Sequence, residues 1–360
     1  MLDQSEINKV EKDDHPFREN LSTQPIKTEK VFNRTNILTE SWYPVCKSSS
    51  LKKAMARSFK ILHQRIVVYR TAAGNTYALD SFCPHMGADL GNGEVIGEKI
   101  RCYFHHYAID KNGKCSHLSE KQSLNSYPTQ EKYGMIWVYA GKNPDHPVPH
   151  PPGLEGKDIE SWHIRQGKLY AHHHVMMAGA IDLQHFKSVH SLDIQFDYDV
   201  IEKTQHSYCW SLKGILPRTS LLLKFGHWLT GGVFSYQALF AGGTITTLTY
   251  GNDLRFRGNG FKIPTINLFW GATPLEEGVS SVDIICVVPK YTGPLAPLKR
   301  LFTYLFSFLV LAILKDDDIK AFPHMRFQLA NPSPKDKSIL DLVDRINKLP
   351  ISEWSLPCQK

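Results

Sequence analysis

The sequence predicts an α+β protein in which an N-terminal antiparallel β domain precedes a larger α+β domain with an antiparallel sheet covered by helices. Residues 41 to about 140 are rich in strand-like runs separated by turn signals. The closely spaced prolines of residues 141–158 can continue neither a strand nor a helix, so the chain divides there. Beyond them, strand patterns mix with helical ones. These three observations give the fold class.

The first domain reads as a series of hairpins. SFKILHQRIVVYRTAAGNTYALD, residues 58–80, predicts β-rich stretches joined by a turn at Ala73-Gly74-Asn75. Asn112-Gly113 marks a second hairpin, and YGMIWVYAG, residues 133–141, predicts a closing strand. In the second domain, residues 265–289 predict a long hairpin and residues 338–349 an amphipathic helix. The polar start of the chain predicts a disordered or extended arm over residues 1–40.

Two cysteine–histidine half-sites stand out in the first domain. Cys83-Pro84-His85 is followed, after sixteen residues, by Cys102-Tyr103-Phe104-His105. In a Rieske [2Fe–2S] cluster, one iron takes two thiolates and the other takes two imidazoles, which raises the potential to roughly −150 to +300 mV. The half-sites therefore predict a Rieske cluster held by Cys83, His85, Cys102 and His105.

Zinc is the alternative occupant, because two cysteines and two histidines also satisfy a tetrahedral Zn²⁺ site. A zinc finger normally places its two histidines on one helix, after a pair of cysteines. Here each half-site has one cysteine and one histidine and lies between strand-like runs. This arrangement favours the Rieske cluster.

Composition narrows the function classes. The chain has 360 residues, and 42 basic against 35 acidic residues give a net charge of +7. That excess is too small to indicate nucleic-acid binding, but it suits docking of an acidic ferredoxin. The seven cysteines show no paired spacing outside the half-sites, and no charged-then-apolar leader opens the chain. We therefore expect a reducing, cytoplasmic location.

A second histidine pair lies in Asp182-Leu183-Gln184-His185-Phe186-Lys187-Ser188-Val189-His190. His185 and His190 are five residues apart, about 140° on an ideal helix, so they can share a metal only if the helix ends or bends between them. Mononuclear non-haem iron uses two histidines and one carboxylate. With 17 histidines in the chain, the pair gains weight only beside a Rieske site.

Over residues 40–345 the chain resembles the terminal oxygenase α-subunits of Rieske non-haem iron oxygenases, and most of all the aminopyrrolnitrin-oxygenase-like monooxygenases. The matching segments are SWYPV, CPHMGADL, CYFHHYAID, YGMIWV, DLQHFKSVH and DIKAF. The resemblance implies a Rieske domain at 41–145, a Pro-rich linker at 146–158 and a mononuclear non-haem iron catalytic domain at 159–350.

The resemblance also implies roles for individual residues. His185 and His190 correspond to two iron ligands. Asp182 corresponds to the acid that connects the iron site to a Rieske histidine of a neighbouring subunit. The third ligand is one acid of the run Asp316-Asp317-Asp318; the family motif aligns best on Asp318, and an alternative register selects Asp316.

Two positions depart from the family pattern. Relatives commonly have Glu-Asn where this chain has Ala178-Gly179, so a contact to the iron ligands is missing or is supplied elsewhere. The tryptophan that often follows the second half-site is Tyr107 here. Neither departure removes a ligand.

The implied enzyme is an oxidoreductase that uses O₂ to hydroxylate, N-oxygenate, demethylate or desaturate a hydrophobic or aromatic small molecule. Its implied partners are a ferredoxin or an NAD(P)H-dependent reductase, and its implied assembly is a homotrimer. The competing hypothesis is a Rieske electron-transfer protein whose C-terminal domain binds a partner and holds no mononuclear iron. The apolar and aromatic residues between Cys209 and Trp270 are candidates for a substrate pocket or for a core.

The run Leu301–Leu314 is almost entirely apolar. As a helix it spans about 21 Å, which is shorter than the roughly 30 Å of a bilayer core. We expect a buried helix that carries the iron's carboxylate. A helix dipping into a membrane surface, which would suit a lipophilic substrate, is the alternative.

Overall fold

The computed structural model describes residues 31–355, except 120–121, 252–253, 324, 326 and 330–331. The side chains of 202–203, 311–317, 319–320 and 334 are also outside the described part. The arm expected at residues 1–30 lies outside it as well. Residues 31–40 are described and packed: Val31 and Phe32 are buried, and their backbone N–H groups donate to the Asn347 side chain at 2.9 Å. The expectation of a disordered or extended arm is therefore wrong for residues 31–40.

The strands form four antiparallel sheets in the described part of the chain. Their bounds are β1 Trp42–Lys47, β2 Met55–Ile61, β3 Gln64–Arg70, β4 Thr76–Asp80, β5 Glu94–Ile96, β6 Lys99–Arg101, β7 Ala108–Ile109, β8 Ser126–Tyr127, β9 Thr129–Lys132, β10 Met135–Tyr139, β11 Ile159–Leu169, β12 Asp197–Lys203, β13 Ser207–Ile215, β14 Val233–Ala241, β15 Ile245–Tyr250, β16 Ile266–Glu276 and β17 Val279–Pro289.

Three small sheets build the first domain, in the orders β1-β10-β9, β2-β3-β4-β8 and β5-β6-β7. The predicted hairpin at residues 73–75 is confirmed, because β3 and β4 pair from Arg70–Thr76 to Ile66–Asp80. The predicted strand in residues 133–141 is confirmed as β10. The third sheet matters most for function, because its strands flank the two cysteine–histidine half-sites.

The second domain is built on one seven-stranded sheet, in the order β11-β17-β16-β15-β14-β13-β12. Its central strands are buried on both faces, and alternate residues serve different cores. Leu268 and Trp270 face the core beneath the helices, whereas Phe269 between them packs with Trp137 of the first domain. The predicted long hairpin is confirmed as β16 and β17. The sheet thus separates the helices from the first domain.

The helices are α1 His173–Gly179, α2 Leu183–Ser188, α3 Leu221–Thr230, α4 Ala296–Ala321 and α5 Lys337–Ile346. The predicted C-terminal helix is confirmed as α5, which buries Ile339, Leu342 and Ile346. The predicted fold class, with an antiparallel β domain followed by a sheet covered by helices, is confirmed.

Helix α4 differs from the expectation of a buried helix. Thr303, Phe306 and Ser307 face the interior, but Leu301, Leu305 and other apolar residues on the opposite side are exposed. No helix in the described part of the chain has the length and apolar content needed to span a membrane. The expectation that this run is buried therefore holds for only one face.

Candidate metal centres

The two half-sites lie in loops with the same backbone geometry. In each loop the cysteine N–H donates at 2.8 Å to the carbonyl oxygen of the residue five positions later. The cysteine carbonyl accepts from the N–H of the residue four positions later, which is Gly87 after Cys83 and His106 after Cys102. Both of those residues have positive φ, 76° and 60°. Glycine adopts this conformation easily, whereas His106 must be held in it by the fold.

The loops turn their cysteines inward and their histidines outward. Cys83 and Cys102 are buried in a core under the third sheet, close enough that their thiols interact. His85 is partly buried and His105 is exposed, with ring centroids 4.7 Å apart. Burial raises the pKa of the Cys83 thiol, so a nearby metal charge is needed to hold it as a thiolate.

These four side chains fit a [2Fe–2S] cluster. Two thiols and two imidazoles converge, and the His85 Nδ1 atom is buried without a hydrogen-bond partner among the described residues. Tyr107 stacks on the His85 ring, with centroids 4.6 Å apart. An unpartnered buried nitrogen is costly unless it binds something.

Asp89 stabilises the first loop. Burial alone would raise the pKa of Asp89, but hydrogen bonds from Ser58, Arg65, the Gly91 N–H and Ser81 hold that pKa at about 2. Arg65 Nη2 donates to the carboxylate at 2.5 Å, and the Gly91 N–H donates at 2.9 Å. The ionised carboxylate therefore connects the loop that carries Cys83 to strands β2 and β3.

The second candidate centre joins two segments that are distant in sequence. His185 lies on α2, His190 follows the end of that helix, and Asp318 lies near the end of α4. His185 Nε2 and His190 Nε2 are 3.1 Å apart, and Asp318 Oδ1 lies 3.3 Å from His190 Nε2 and 3.7 Å from His185 Nε2. The helix ends at Ser188, so the break that the five-residue spacing requires is present.

The spacing of these three atoms fits a metal ion. Metal–ligand bonds of about 2.1 Å at right angles place neighbouring ligand atoms about 3 Å apart. Asp318 Oδ1 is buried and has no hydrogen-bond partner among the described residues. Mononuclear non-haem iron is bound by two histidines and one carboxylate, which leave further coordination positions of the metal open. The side chains of Asp316 and Asp317, the other two candidates, lie outside the described part.

The orientation of His185 is set by Asp182. The Asp182 carbonyl oxygen lies 2.6 Å from His185 Nδ1, so Nδ1 donates and the lone pair of Nε2 faces His190 and Asp318. Asp182 also caps α2, because its Oδ1 accepts from the N–H groups of Gln184 and His185 at 2.9 and 3.2 Å. Burial lowers the pKa of His185, which favours the neutral form that binds metal.

An apolar recess adjoins the three ligand atoms. Its cavity volume is about 30 Å³, and its lining comprises Met176, Gly179, Ala180, Phe186, Leu248, Tyr250, Trp270 and Phe322 besides the candidate ligands. The Tyr250 hydroxyl and the Trp270 N–H are the polar groups of that lining apart from the ligands and the backbone. The recess therefore favours an apolar molecule next to the metal.

Comparisons with known proteins agree with both centres. A family model described as a Rieske [2Fe–2S] domain matches residues 41–128. Aminopyrrolnitrin oxygenase PrnD of Pseudomonas fluorescens is 23% identical over 311 residues, which cover 73% of this chain and 78% of that protein. Cholesterol 7-desaturase nvd of Drosophila melanogaster is 25% identical over 327 residues, covering 84% and 72%.

The fold comparison points the same way. The structure of dicamba monooxygenase bound to dicamba has a TM-score of 0.60 at 16% identity, covering 88% of this chain and 97% of that one. The chain contains a Rieske domain and is similar over most of its length to oxygenases, which supports its assignment to the terminal components of Rieske non-haem iron oxygenases. The comparisons favour an oxidoreductase and do not support the alternative of a Rieske electron carrier. Several other relatives align over less than half of their own length.

Gly179, at which the sequence departs from the expected family pattern, has a structural role in this chain. A Cβ added to Gly179 would lie 2.5 Å from Cζ of Phe322. Phe322 is four residues after Asp318, and its N–H donates to the Asp318 carbonyl at 3.0 Å. Gly179 therefore makes room for the aromatic ring next to the candidate carboxylate ligand.

The apolar region between Cys209 and Trp270 contributes to the recess only in part. Leu248, Tyr250 and Trp270 line the recess, whereas Leu221, Leu222, Phe225 and Trp228 are exposed on α3. His172, His173 and His174, which the sequence leaves without a role, are buried together. They join the start of the described chain to the second domain, since the Asn33 N–H donates to His174 Nδ1 at 2.9 Å.

Proposed function

We propose that this Rieske oxygenase holds a [2Fe–2S] cluster at Cys83, His85, Cys102 and His105, and Fe²⁺ at His185, His190 and Asp318. The observation that carries the proposal is the convergence of two imidazole nitrogens and an orphaned carboxylate oxygen within 3.7 Å. We assign residues 41–145 to the Rieske domain, 146–158 to the linker and 159–350 to the catalytic domain.

The bound groups would supply one-electron transfer and activation of O₂. The chain's own residues then determine what can react. Asp182 orients His185 through its carbonyl oxygen, and its free carboxylate oxygen can accept a proton or a hydrogen bond from a Rieske histidine. The buried side chains around the recess exclude water from the reacting position.

The substrate class follows from the recess. Its apolar lining, with Phe186, Trp270 and Phe322 around the candidate ligands, suits a hydrophobic or aromatic small molecule. The names of the relatives refer to aminopyrrolnitrin, cholesterol and dicamba, which agree with that class. The reaction is a hydroxylation, N-oxygenation, demethylation or desaturation.

The partners follow from the exposed histidine edge of the Rieske domain. His105 is exposed, and around it lie the exposed apolar side chains of Phe82, Met86, Tyr103 and Phe104. An exposed apolar surface around His105, through which electrons would leave the cluster, suits contact with another protein. We infer a head-to-tail homotrimer in which this edge meets the catalytic domain of the next subunit, with a ferredoxin or NAD(P)H-dependent reductase as electron donor.

The test is the ratio of iron to acid-labile sulfide in protein purified without air, together with EPR of the dithionite-reduced form. We expect about three irons and two sulfides per chain with a Rieske signal. His185→Ala should lower this to two irons per two sulfides, keep the signal and abolish O₂-dependent turnover. The control His63→Ala changes an exposed histidine and should retain all three irons. Two irons in the wild type, unchanged after Fe²⁺ is added, would contradict the proposal.

A second variant tests Asp182 separately. Asparagine also caps helices, so Asp182→Asn should keep α2, both metal centres and the orientation of His185. It removes the charge, so we expect slow oxidation of the reduced cluster in a single turnover with O₂ and substrate. Equal rates for the variant and the wild type would limit Asp182 to capping.

A further inference from the structure

Helix α4 presents an apolar stripe to the outside of the molecule. The stripe repeats every three or four residues and is half exposed or more at most positions: Leu295 60%, Leu298 64%, Leu301 54%, Leu305 59% and Phe308 44%. This spacing marks one face of a helix. The opposite face is the one packed on the sheet. Over its fourteen residues the stripe is about 20 Å long, and nothing in the described part of the chain covers it.

Helix α3 carries a second exposed apolar group. Leu221 is 87% exposed, and Phe225 and Trp228 are each about half exposed. Trp228 packs edge-on against Phe256, which stacks on the exposed ring of Phe261, with centroids 5.3 and 5.1 Å apart. The aromatic rings of α3 and of the loop after β15 thus form one continuous surface group.

Both groups emerge from the same end of the seven-stranded sheet. Because all of its strands are antiparallel, the ends of β13, β15 and β17 lie beside the starts of β14, β16 and β11. Helix α3 connects β13 to β14, the loop at 251–265 connects β15 to β16, and α4 follows β17. Arg300 of α4 pairs with Glu160, the second residue of β11, at 2.5 Å. We call this side of the molecule the sheet-end surface.

The sheet-end surface has more basic than acidic residues. Residues 204–275 contain six lysines and arginines and one acidic residue, and residues 284–314 contain three lysines and arginines and no acidic residue. The same end of the sheet also carries Asp158 and Glu160 at the start of β11 and Asp197 at the start of β12, so the basic excess there is partly offset. The exposed basic side chains are Arg218, Lys224, Arg255, Arg257, Lys262, Lys290, Lys299 and Arg300. Basic and apolar side chains are therefore interleaved on one side.

We propose that the sheet-end surface binds an anionic lipid membrane, with the α4 stripe and the α3 aromatic group inserted at the level of the headgroups. Apolar residues flanked by lysine and arginine are what an interfacial membrane contact requires, since the apolar part enters the acyl boundary and the charges meet anionic lipids. A symmetric contact with a second copy of this chain would instead bring two basic surfaces together. The charge therefore favours the lipid surface over a symmetric dimer, and a head-to-tail contact at this surface is tested by the oligomeric state below.

The proposed membrane contact extends the proposed function. What it implies about the substrate rests on that function. Tyr250 lines the recess at the candidate iron site and is the last residue of β15. The next segment, residues 251–265, carries Arg255, Arg257, Phe261 and Lys262 of the sheet-end surface. The recess therefore lies next to the side that would rest on the bilayer, which suits a lipophilic substrate taken from the membrane.

The test is co-sedimentation of the full-length, iron-loaded protein with vesicles of phosphatidylcholine, with or without phosphatidylglycerol, at low and high salt. We expect binding to the anionic vesicles, weakened by salt. Leu298→Ser/Leu301→Ser, Phe225→Ser/Trp228→Ser and Lys262→Gln/Lys299→Gln should each reduce the partition coefficient about tenfold or more.

Matched controls change similar residues elsewhere. Ile96→Ser, at an exposed apolar residue of the first domain, and Lys52→Gln/Lys53→Gln should bind as the wild type does. Equal binding to neutral vesicles, loss with only one of the two apolar groups, or a change of oligomeric state in the apolar variants would overturn the proposal. Iron and sulfide content, measured on the same samples, reports separately on the oxygenase assignment.

Discussion

Replacing Asp318 by asparagine should have opposite effects on iron binding and on the stability of the metal-free protein. Asp318 Oδ1 lies 3.3 Å from His190 Nε2 and 3.7 Å from His185 Nε2, and it is buried without a hydrogen-bond partner among the described residues. With iron bound, this oxygen is a ligand. Without iron, it is a desolvated acceptor. Asp318→Asn removes the ligand charge and introduces an Nδ2 that can donate to an imidazole nitrogen.

The magnitude follows from the orphaned oxygen. A buried polar group without a partner costs about 1–3 kcal/mol, so relieving it should stabilise the metal-free protein by about 1 kcal/mol or more. In a domain of this size, 1 kcal/mol corresponds to roughly 2–4 °C in Tm. Iron at about one hundred times its Kd should stabilise the wild type by about 2.7 kcal/mol, and the variant should lose most of that gain.

Thermal unfolding with a chelator and with added Fe²⁺ measures both effects. We expect Asp318→Asn to unfold at a higher temperature than the wild type with chelator and at a lower one with iron. Asp316→Asn and Asp317→Asn are matched controls, and they should keep the iron-dependent shift. A variant that retains the full iron shift, or is destabilised without metal, would refute the assignment of Asp318. Loss of the shift in Asp316→Asn instead would select the alternative register.

Three further outcomes are expected. Gly179→Ala should displace the Phe322 ring, because the new Cβ would lie 2.5 Å from it, and we expect lower iron occupancy and turnover with an unchanged Rieske EPR signal. Burial lowers the pKa of His173 from 6.5 to about 4, so between these pH values the unfolded chain binds a proton that the folded protein does not. The free energy of unfolding measured in urea should therefore fall by roughly 3 kcal/mol as the pH falls from 6.5 to 4. A free energy of unfolding that stays constant over this range would contradict this. Cys83→Ser should abolish the Rieske EPR signal and leave one iron per chain, and a retained signal would exclude that cysteine as a ligand.

The sequence predicted those parts of the site whose geometry is local. Cys83 and Cys102 each have their histidine within three residues, so the turn that carries the cysteine also carries its partner. His185 and His190 lie on either side of a helix end, and their 140° offset on an ideal helix predicts that end from the spacing alone. In each case the chemistry depends on a few consecutive residues.

Features that depend on distant packing were not predicted. The three histidines at 172–174 have no motif, and their burial arises from contacts with residues 33–39 and with Gly243, far along the chain. For α4 the sequence predicted a buried helix, with a helix at a membrane surface as the alternative, and it did not identify which side is exposed. Leu298 and Leu301 have the same apolar character as Phe306, which is buried, and only the position of the sheet distinguishes them. Apolarity predicts a tendency to be buried but does not identify what covers it.

The choice among three consecutive acids shows how a distant contact completes a local motif. Adjacent residues on a helix point about 100° apart, so α4 can direct only one of Asp316, Asp317 and Asp318 at the imidazoles. Phe322 is four residues after Asp318 and shares its face, and that ring packs against Gly179. The contact between Phe322 and the glycine thus sets the rotation of the helix. A larger residue at position 179 would clash with that ring, so the glycine permits the rotation of α4 that turns Asp318 toward the imidazoles.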